Sequence, residues 1–372
     1  MTTDGITVAL SSTMGDPRRE QTWSGTPFNL VKSLEDLGVS VVTIDASLSR
    51  KVRMVCKLVH LLGGLRCDTR GGPVARLIAA KVTNTHCRRA GVHKVLHIGT
   101  TEDLSGAGGS KMERYLFCDT TWNLFSSHAT GRYMRRFSPR GIRAYEKLEV
   151  RAFAQIRHFF PISEYVKENL TGHYGIDPKA ITVVGTGRGK IAPFGGAKDY
   201  AQGHILFVAS NRFADKGGFL LLQGFQLAVK KNPSLKLVLA GGETEAAVAQ
   251  NAPNVTVAGR VPWPELQRLF ETAALFAMPA YNEPWGLVLL EALACRTPLL
   301  GLARNSFPEL TQNGRFGFLV GEPEPRLIAE AILRAFADPK NLERMGSEGQ
   351  KYCLDKFSWP RTAGLIRERL TR

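Results

Sequence analysis

The sequence predicts an α/β protein built from two Rossmann-like domains, each a parallel sheet with helices on both faces. Three observations carry that reading. Strand-like and helix-like stretches alternate through both halves of the 372 residues. A glycine-rich stretch, GRGKIAPFGGAKDYAQG (187–203), interrupts the alternation, which then restarts. The composition, 44% hydrophobic and 22% charged, is that of a globular chain with real cores. Strands separated by helices of about 10–15 residues favour parallel sheets. Two such runs suggest domains facing each other, with ligands bound in the interdomain cleft beyond the carboxyl ends of the strands. The expected division is 1–190, a linker, 204–357, and a C-terminal helix over 358–372 packing back on the first domain.

The elements follow in order. ITVALSS (6–12) is the first strand. TPFNLVKSLEDLG (26–38) is a helix, with Pro27 suited to its first turn and Gly38 to its end. VSVVTIDA (39–46), HKVLHIGT (93–100) and RYLFCD (114–119) continue the strands, and helical periodicity returns over 141–157. FFPIS (159–163), a helix over 164–175 and ITVVGTG (181–187) close the first half. The second half reads HILFVAS (204–210), a helix over 217–231, LKLVLAGG (235–242), VTVAGRV (255–261), a helix near 263–271 and ALFAMPA (274–280).

Several classes fall away on composition. No apolar run approaches the roughly 20 residues that span a bilayer. The opening MTTDGITVAL lacks the basic region of a signal peptide. Six cysteines form no CxxC pair and no zinc-finger spacing, which suits reduced thiols in a cytoplasmic protein. The net charge is +16. Residues 1–200 hold 29 basic against 17 acidic residues, a net of +12, so the first half carries most of the excess. A basic face suits nucleic acid, an anionic membrane or a phosphorylated ligand.

The stretch NEPWGLVLLEALACRTPLL (282–300) holds two carboxylates, Glu283 and Glu291, in an apolar run. Pro284 turns the chain after a strand, and a helix starts near Trp285 or Gly286. The unpaired N–H groups of Trp285, Gly286 and Leu287 suit an anion. The carboxylates would repel that anion, so neutral sugar hydroxyls are their natural partners. Charge and periodicity alone also allow a capping glutamate and a surface glutamate. NRFADKGG offers Arg212 and Lys216 directly after a strand, and fixed cations there would stabilise a departing phosphate. Ser24 and Gly25 precede a helix start after the first strand, where backbone could approach an anion or make a plain tight turn.

The 282–300 segment resembles the E-x7-E element of retaining GT-B glycosyltransferases of family 4, through Glu283, Pro284, Gly286 to Leu290, Glu291, Ala292, Ala294, Cys295, Thr297 and Pro298. The resemblance covers most of the second half and is weaker in the first. It implies that Glu283 lies near the donor sugar and that Glu291 binds the donor ribose. The backbone after Glu283 would hold the diphosphate, and Lys216 would meet it. Arg212 sits one position later than the family's arginine, whose register Asn211 takes. Gly25 would belong to the glycine loop of the N-domain. VAGRVPWPEL (257–266) is similar to the segment that reads the nucleobase, here through Arg260 and Val261. Many relatives place a histidine near the sugar after a mid-domain strand. Here Asp119 and Trp122 stand in that zone, and His128 follows. A carboxylate such as Asp119 could orient an acceptor hydroxyl or take its proton. His97 reads as a core histidine.

The implied function is transfer of a hexose from a UDP-, GDP- or ADP-sugar to a hydroxyl of a glycan, glycolipid or lipid-linked saccharide, with retention, no cofactor and no metal. SRKVRMVCKLVHLLGGLR (49–66) places Val52, Val55, Val59 and Leu62 on one face and Lys51, Arg53, Lys57 and Arg66 elsewhere. That suits either an anionic membrane at the inner face or a domain helix with a solvated side. RYMRRFSPRGIR (132–143) fits both. A basic nucleic-acid-binding protein is the rival reading, but no nucleic-acid motif is present, so no such partner is expected. A dinucleotide oxidoreductase would need GxGxxG after the first strand, where SSTMGDPRRE stands.

Overall fold

The computed structural model describes residues 5–68, 71–100, 102, 112–128, 134–242 and 252–371. Arg132 and Tyr133 of the basic run lie outside them. The chain divides into two compact units, 1–187 with 358–372, and 188–357.

The first unit runs β1 (Thr7–Ser12), α1 (Thr26–Asp36), β2 (Ser40–Asp45), α2 (Arg50–Leu62), α3 (Pro73–Ala90), β3 (Lys94–Ile98), β4 (Glu113–Cys118), α4 (Trp122–His128), α5 (Pro139–Phe153), β5 (His158–Pro161) and α6 (Glu164–Gly172). Its five strands are all parallel, in the order β2-β1-β3-β4-β5. They are near-continuous apolar runs because both faces are covered. Ser138 and Ser163 cap α5 and α6 by accepting the N–H groups of Gly141 (3.1 Å) and Val166 (3.2 Å).

The second unit runs β6 (His204–Ala209), α7 (Gly218–Val229), β7 (Leu237–Gly241), β8 (Val255–Gly259), α8 (Trp263–Thr272), β9 (Ala273–Ala277), α9 (Leu287–Ala294), β10 (Leu299–Leu302), α10 (Phe307–Leu310), β11 (Gly317–Val320), α11 (Pro325–Ala337) and α12 (Pro339–Lys356). Its six parallel strands take the order β11-β10-β9-β6-β7-β8. The chain leaves β6 toward β8, then returns to lay β9 on the other side. The switch point of this sheet is therefore the β6/β9 junction, the kind of place where open α/β sheets bind ligands. In the first sheet the switch point lies between β1 and β3.

Two differences from the sequence reading concern the joints. Residues 188–203 are not a free linker. Ile191 and Tyr200 are buried, and Lys198 Nζ donates to Thr297 Oγ1 (2.6 Å), Cys295 O (2.7 Å) and Phe270 O (2.9 Å). Glycine content signals backbone freedom; it is blind to such long-range anchors. ITVVGTG forms only an isolated bridge, Ile181 to Phe159, rather than a strand. The last helix, α13 (Trp359–Leu370), belongs to the first unit. There Thr362 Oγ1 donates to Val184 O (3.2 Å) and Lys94 Nζ to Leu370 O (2.6 Å). All six cysteines are free thiols, and five are buried.

Lys198 carries the joint of the second unit. Lys198→Ala would remove the charged donor shared by Thr297 Oγ1, Cys295 O and Phe270 O, leaving the two carbonyls only the longer bonds from Thr297 Oγ1 at 3.3 Å. It is expected to cost about 3 kcal/mol in urea unfolding. A loss within ordinary surface scatter, under about 0.5 kcal/mol, would contradict that role.

Candidate active site

The carboxyl ends of β6 and β9 carry the two loops singled out in the sequence. The β6 loop holds Arg212 and Lys216, and the β9 loop holds Glu283, Trp285 and Gly286. Backbone pairing joins them: Tyr281 N–H donates to Asp215 O at 3.0 Å. Gly217 lies so close to Pro279 that an added Cβ would stand 2.0 Å from its carbonyl oxygen, and its φ of +79° is left-handed. This approach brings Lys216 Nζ within 2.6 Å of Glu283 Oε2, with both side chains four-fifths buried.

Two helices begin beside this pair. α7 starts at Gly218 behind Gly217, and α9 starts at Leu287 behind Gly286, whose φ is also +79°. Neither has a side-chain cap, so both dipole ends favour an anion, although the Gly218 N–H of α7 donates to Phe213 O at 2.9 Å. The α9 start is one to two residues later than Trp285 or Gly286. Gly286 in the left-handed region forces the chain to enter the helix after it. Trp285 is buried, its ring packed edge-on against Phe357 at 5.5 Å, so its side chain seats the loop. The Ser306 hydroxyl donates to Pro284 O and holds the turn from the other side.

Arg212 adopts φ +60°, and its Nε donates to Asp215 Oδ2 at 3.2 Å. The loop is thus sharply bent at the position where the arginine register shifts. Half of the Arg212 side chain remains exposed beside Lys216.

Glu291 lies one and a half turns into α9 and is buried. Its Oε1 accepts the N–H of Ile191 at 3.3 Å. The strap 188–192 crosses it so closely that a Cβ on Gly189 would sit 2.0 Å from that oxygen. Burial pushes the carboxyl up to about 7, against the opposing N–H groups of Ile191 and Lys190. The same strap pairs with α8: Ala192 N–H donates to Gln267 Oε1 (2.8 Å), and Lys190 Nζ stands over the Trp263 ring at 5.3 Å. Arg260 and Val261 lie at the end of edge strand β8, two strands from β6. Arg260 is exposed and Val261 half-buried. The strap links their neighbourhood to Glu291; no contact joins them to Lys216 or Glu283 among those resolved between the described residues.

In the first unit, Gly25 (φ +81°) ends a turn in which Trp23 and Ser24 also take positive φ, and it caps α1 without a side chain. It stands after β1, at the switch point of that sheet. Asp119 directly follows β4 and is half-buried. Trp122 is a core residue, not a surface for ligand. Its ring packs on Tyr145 (4.6 Å) and Phe137 (5.1 Å), and its Nε1 donates to Ile142 O (3.2 Å). His128 closes α4, with its ring 6.4 Å from that of Tyr165. His97 is buried, its Nδ1 3.1 Å from Glu102 Oε1, which also accepts from Ser11 Oγ (2.8 Å). Burial alone would push Glu102 up; His97 and the Ser11 and Thr83 hydroxyls outweigh it and hold the carboxyl below its ordinary range.

Sequence reasoning passed over Glu149. It is fully buried on α5, and its Oε2 accepts from Trp122 N (2.8 Å) and the Tyr174 hydroxyl. Burial holds its carboxyl above the usual range. It fixes the turn after Asp119. The signal was a charge on the apolar face that Tyr145, Leu148, Ala152 and Phe153 define.

Residues 197–352 match the model of the family described as Glycosyl transferases group 1. The matched stretch lies within the second unit. That stretch contains Lys216, Glu283 and Glu291. The chain is 31% identical over 150 residues to alpha-maltose-1-phosphate synthase of Mycolicibacterium smegmatis, covering 35% of this chain and 39% of that protein. It is 29% identical over 220 residues to D-inositol 3-phosphate glycosyltransferase of Segniliparus rotundus, covering 53% and 48%. The chain thus spans less than half the length of these two curated relatives. Among solved structures, sucrose-phosphate synthase from Thermosynechococcus elongatus shares the fold, with a TM-score of 0.74 over 98% of this chain and 99% of that one at 17% identity.

The Glu291 carboxyl has a folded pKa above its ordinary 4.5. Its contribution to stability is therefore fully present below pH 4.5 and is lost as pH rises through about 7. Between about pH 5 and pH 8 the parent should lose up to about 3 kcal/mol relative to Glu291→Gln in urea unfolding. A difference that does not change with pH would contradict the buried carboxyl.

Proposed function

We propose that this protein transfers a hexose from a nucleotide diphosphate sugar to a hydroxyl acceptor, with retention at the anomeric carbon. The observation that carries the reading is the Lys216–Glu283 pair set between two uncapped helix starts at the β6/β9 switch point. A diphosphate suits that place, because dipole ends and a lysine all favour negative charge. The group 1 family match over 197–352 supports the same reaction class.

The roles follow from position. Lys216, with the exposed part of Arg212, meets the diphosphate and stabilises the charge that develops on it as the glycosidic bond breaks. The N–H groups from Gly286 and Leu287 onward, after the seated Trp285, contribute the rest. Glu283 exchanges part of its bond to Lys216 for the donor sugar. Glu291 accepts the ribose hydroxyls, and the backbone at Arg260 and Val261 reads the base. The leaving phosphate oxygen takes the acceptor proton on the same face, so no enzyme nucleophile is required and no metal is needed. The first unit takes the acceptor, a glycan, glycolipid or lipid-linked saccharide, with Gly25 at a loop that approaches it and Asp119 orienting its hydroxyl. The protein acts in the cytoplasm.

A panel of UDP-, GDP- and ADP-sugars should contain one that raises Tm by mass action. With that donor, Lys216→Ala should lower kcat by about 100-fold or more, and the parent should turn over in excess chelator. The product anomer, read by NMR, should match the donor. Inverted product, or full activity of Lys216→Ala, would refute the assignment.

A further inference from the structure

Helix α2 is docked with its apolar side outward. Its inner edge is narrow: Cys56 and His60 are its buried residues. His60 fastens it, with Nε2 accepting the Val74 N–H of α3 (3.2 Å) and Nδ1 3.4 Å from Cys67 Sγ. Leu65 N–H to His60 O (2.7 Å) and Ser138 N–H to Arg66 O (2.8 Å) pin the turn that follows. Outside stand Met54, Val55, Leu58, Val59, Leu61 and Leu62, each 46–80% exposed. These six are nearly half of the large exposed hydrophobic side chains among the described residues. A helix with only a solvated outer face would show the reverse pattern. The sequence reading grouped Val52 with the apolar row. The structure instead turns Val52 toward the protein and brings Met54, Leu58 and Leu61 into the outer face.

Charge decides what covers this face. Arg50, Lys51 and Lys57 are exposed around it, and no acidic residue occurs from Ala46 to Cys67. A second copy of the chain would meet the same patch on a two-fold axis and set these cations against one another. The net charge of +16 adds to that repulsion. An anionic lipid surface offers the complement: headgroups for the cations and acyl chains for the leucines.

We infer that α2 is a preformed docking helix that lies in the plane of an anionic membrane, with Leu58, Leu61 and Leu62 entering the acyl boundary and Lys51 and Lys57 at the headgroups. At about 1.5 Å per residue the helix presents a strip about 20 Å long. His60 holds it in place beforehand, so binding requires no folding of α2. The lysine stems lie along the apolar strip while their ammonium groups reach the phosphates. This inference is independent of the sugar-transfer reading.

The full chain, without any substrate, is sedimented with vesicles of phosphatidylcholine alone and of phosphatidylcholine mixed with phosphatidylglycerol. It should pellet with the mixed vesicles and stay in solution with the neutral ones. The pair Leu58→Glu with Leu62→Glu should lower binding by about ten-fold or more, at unchanged Tm because both side chains are exposed. Lys51→Glu with Lys57→Glu should weaken binding to the mixed vesicles by a similar factor. Three results would overturn the inference: a parent that pellets with neither vesicle, α2 variants that bind as the parent does, or a parent dimer that Leu58→Glu with Leu62→Glu dissolves.

Discussion

The ion pair between Lys216 and Glu283 is the interaction on which the site depends. It exists because the strand order places β9 against β6, and because Gly217 lets one loop touch the carbonyl of Pro279 in the other. Any side chain at 217 would separate the loops and with them the charges. The pair is half-way between surface and core, at 19% exposure for each side chain. A pair so placed is neither locked by full burial nor washed out by solvent. In the proposed function, Lys216 meets the diphosphate from this position beside Glu283. The uncapped starts of α7 and α9 add partial positive charge on either side without adding a mobile side chain.

Glu291 extends that logic one turn deeper. A carboxylate among leucines is costly unless it has donors. Here the donors are backbone N–H groups of the strap 188–192, brought near by Gly189. The strap is in turn held by Gln267 and by Lys190 over Trp263. One short segment thus connects the buried acid to the end of β8. Distant parts of the second unit are joined through this strap and through the anchored Lys198 behind it.

Much of this was legible in the sequence because it is local. Apolar runs bounded by Gly and Pro marked nearly every strand, and Glu283 and Glu291 stood out as charges in an apolar setting. What was not legible is long-range. The Gly-rich 188–203 looked free because glycine reports backbone freedom, while its anchors, Ile191 and Lys198, find their partners about 70 to 100 residues away. Trp122 stood in the zone after β4 where relatives place a histidine near the sugar, but Tyr145 and Phe137 close over it. The direction of α2 could not be read either. Periodicity gives the existence of an apolar face, and only His60 and its hold on α3 decide which face turns in. Glu149 shows the converse, a buried charge that was visible as a break in an apolar stripe.

The most direct measurement is a double-mutant cycle on Lys216 and Glu283, read as the affinity for the nucleoside diphosphate of the preferred donor by titration calorimetry. If the lysine anchors the diphosphate and the glutamate competes for it, Lys216→Met weakens binding by about ten-fold or more. Glu283→Gln then tightens it, and the double variant binds like Lys216→Met. Equal affinity in all four proteins would show that the diphosphate does not bind at this pair, and the account of the site would fall with it.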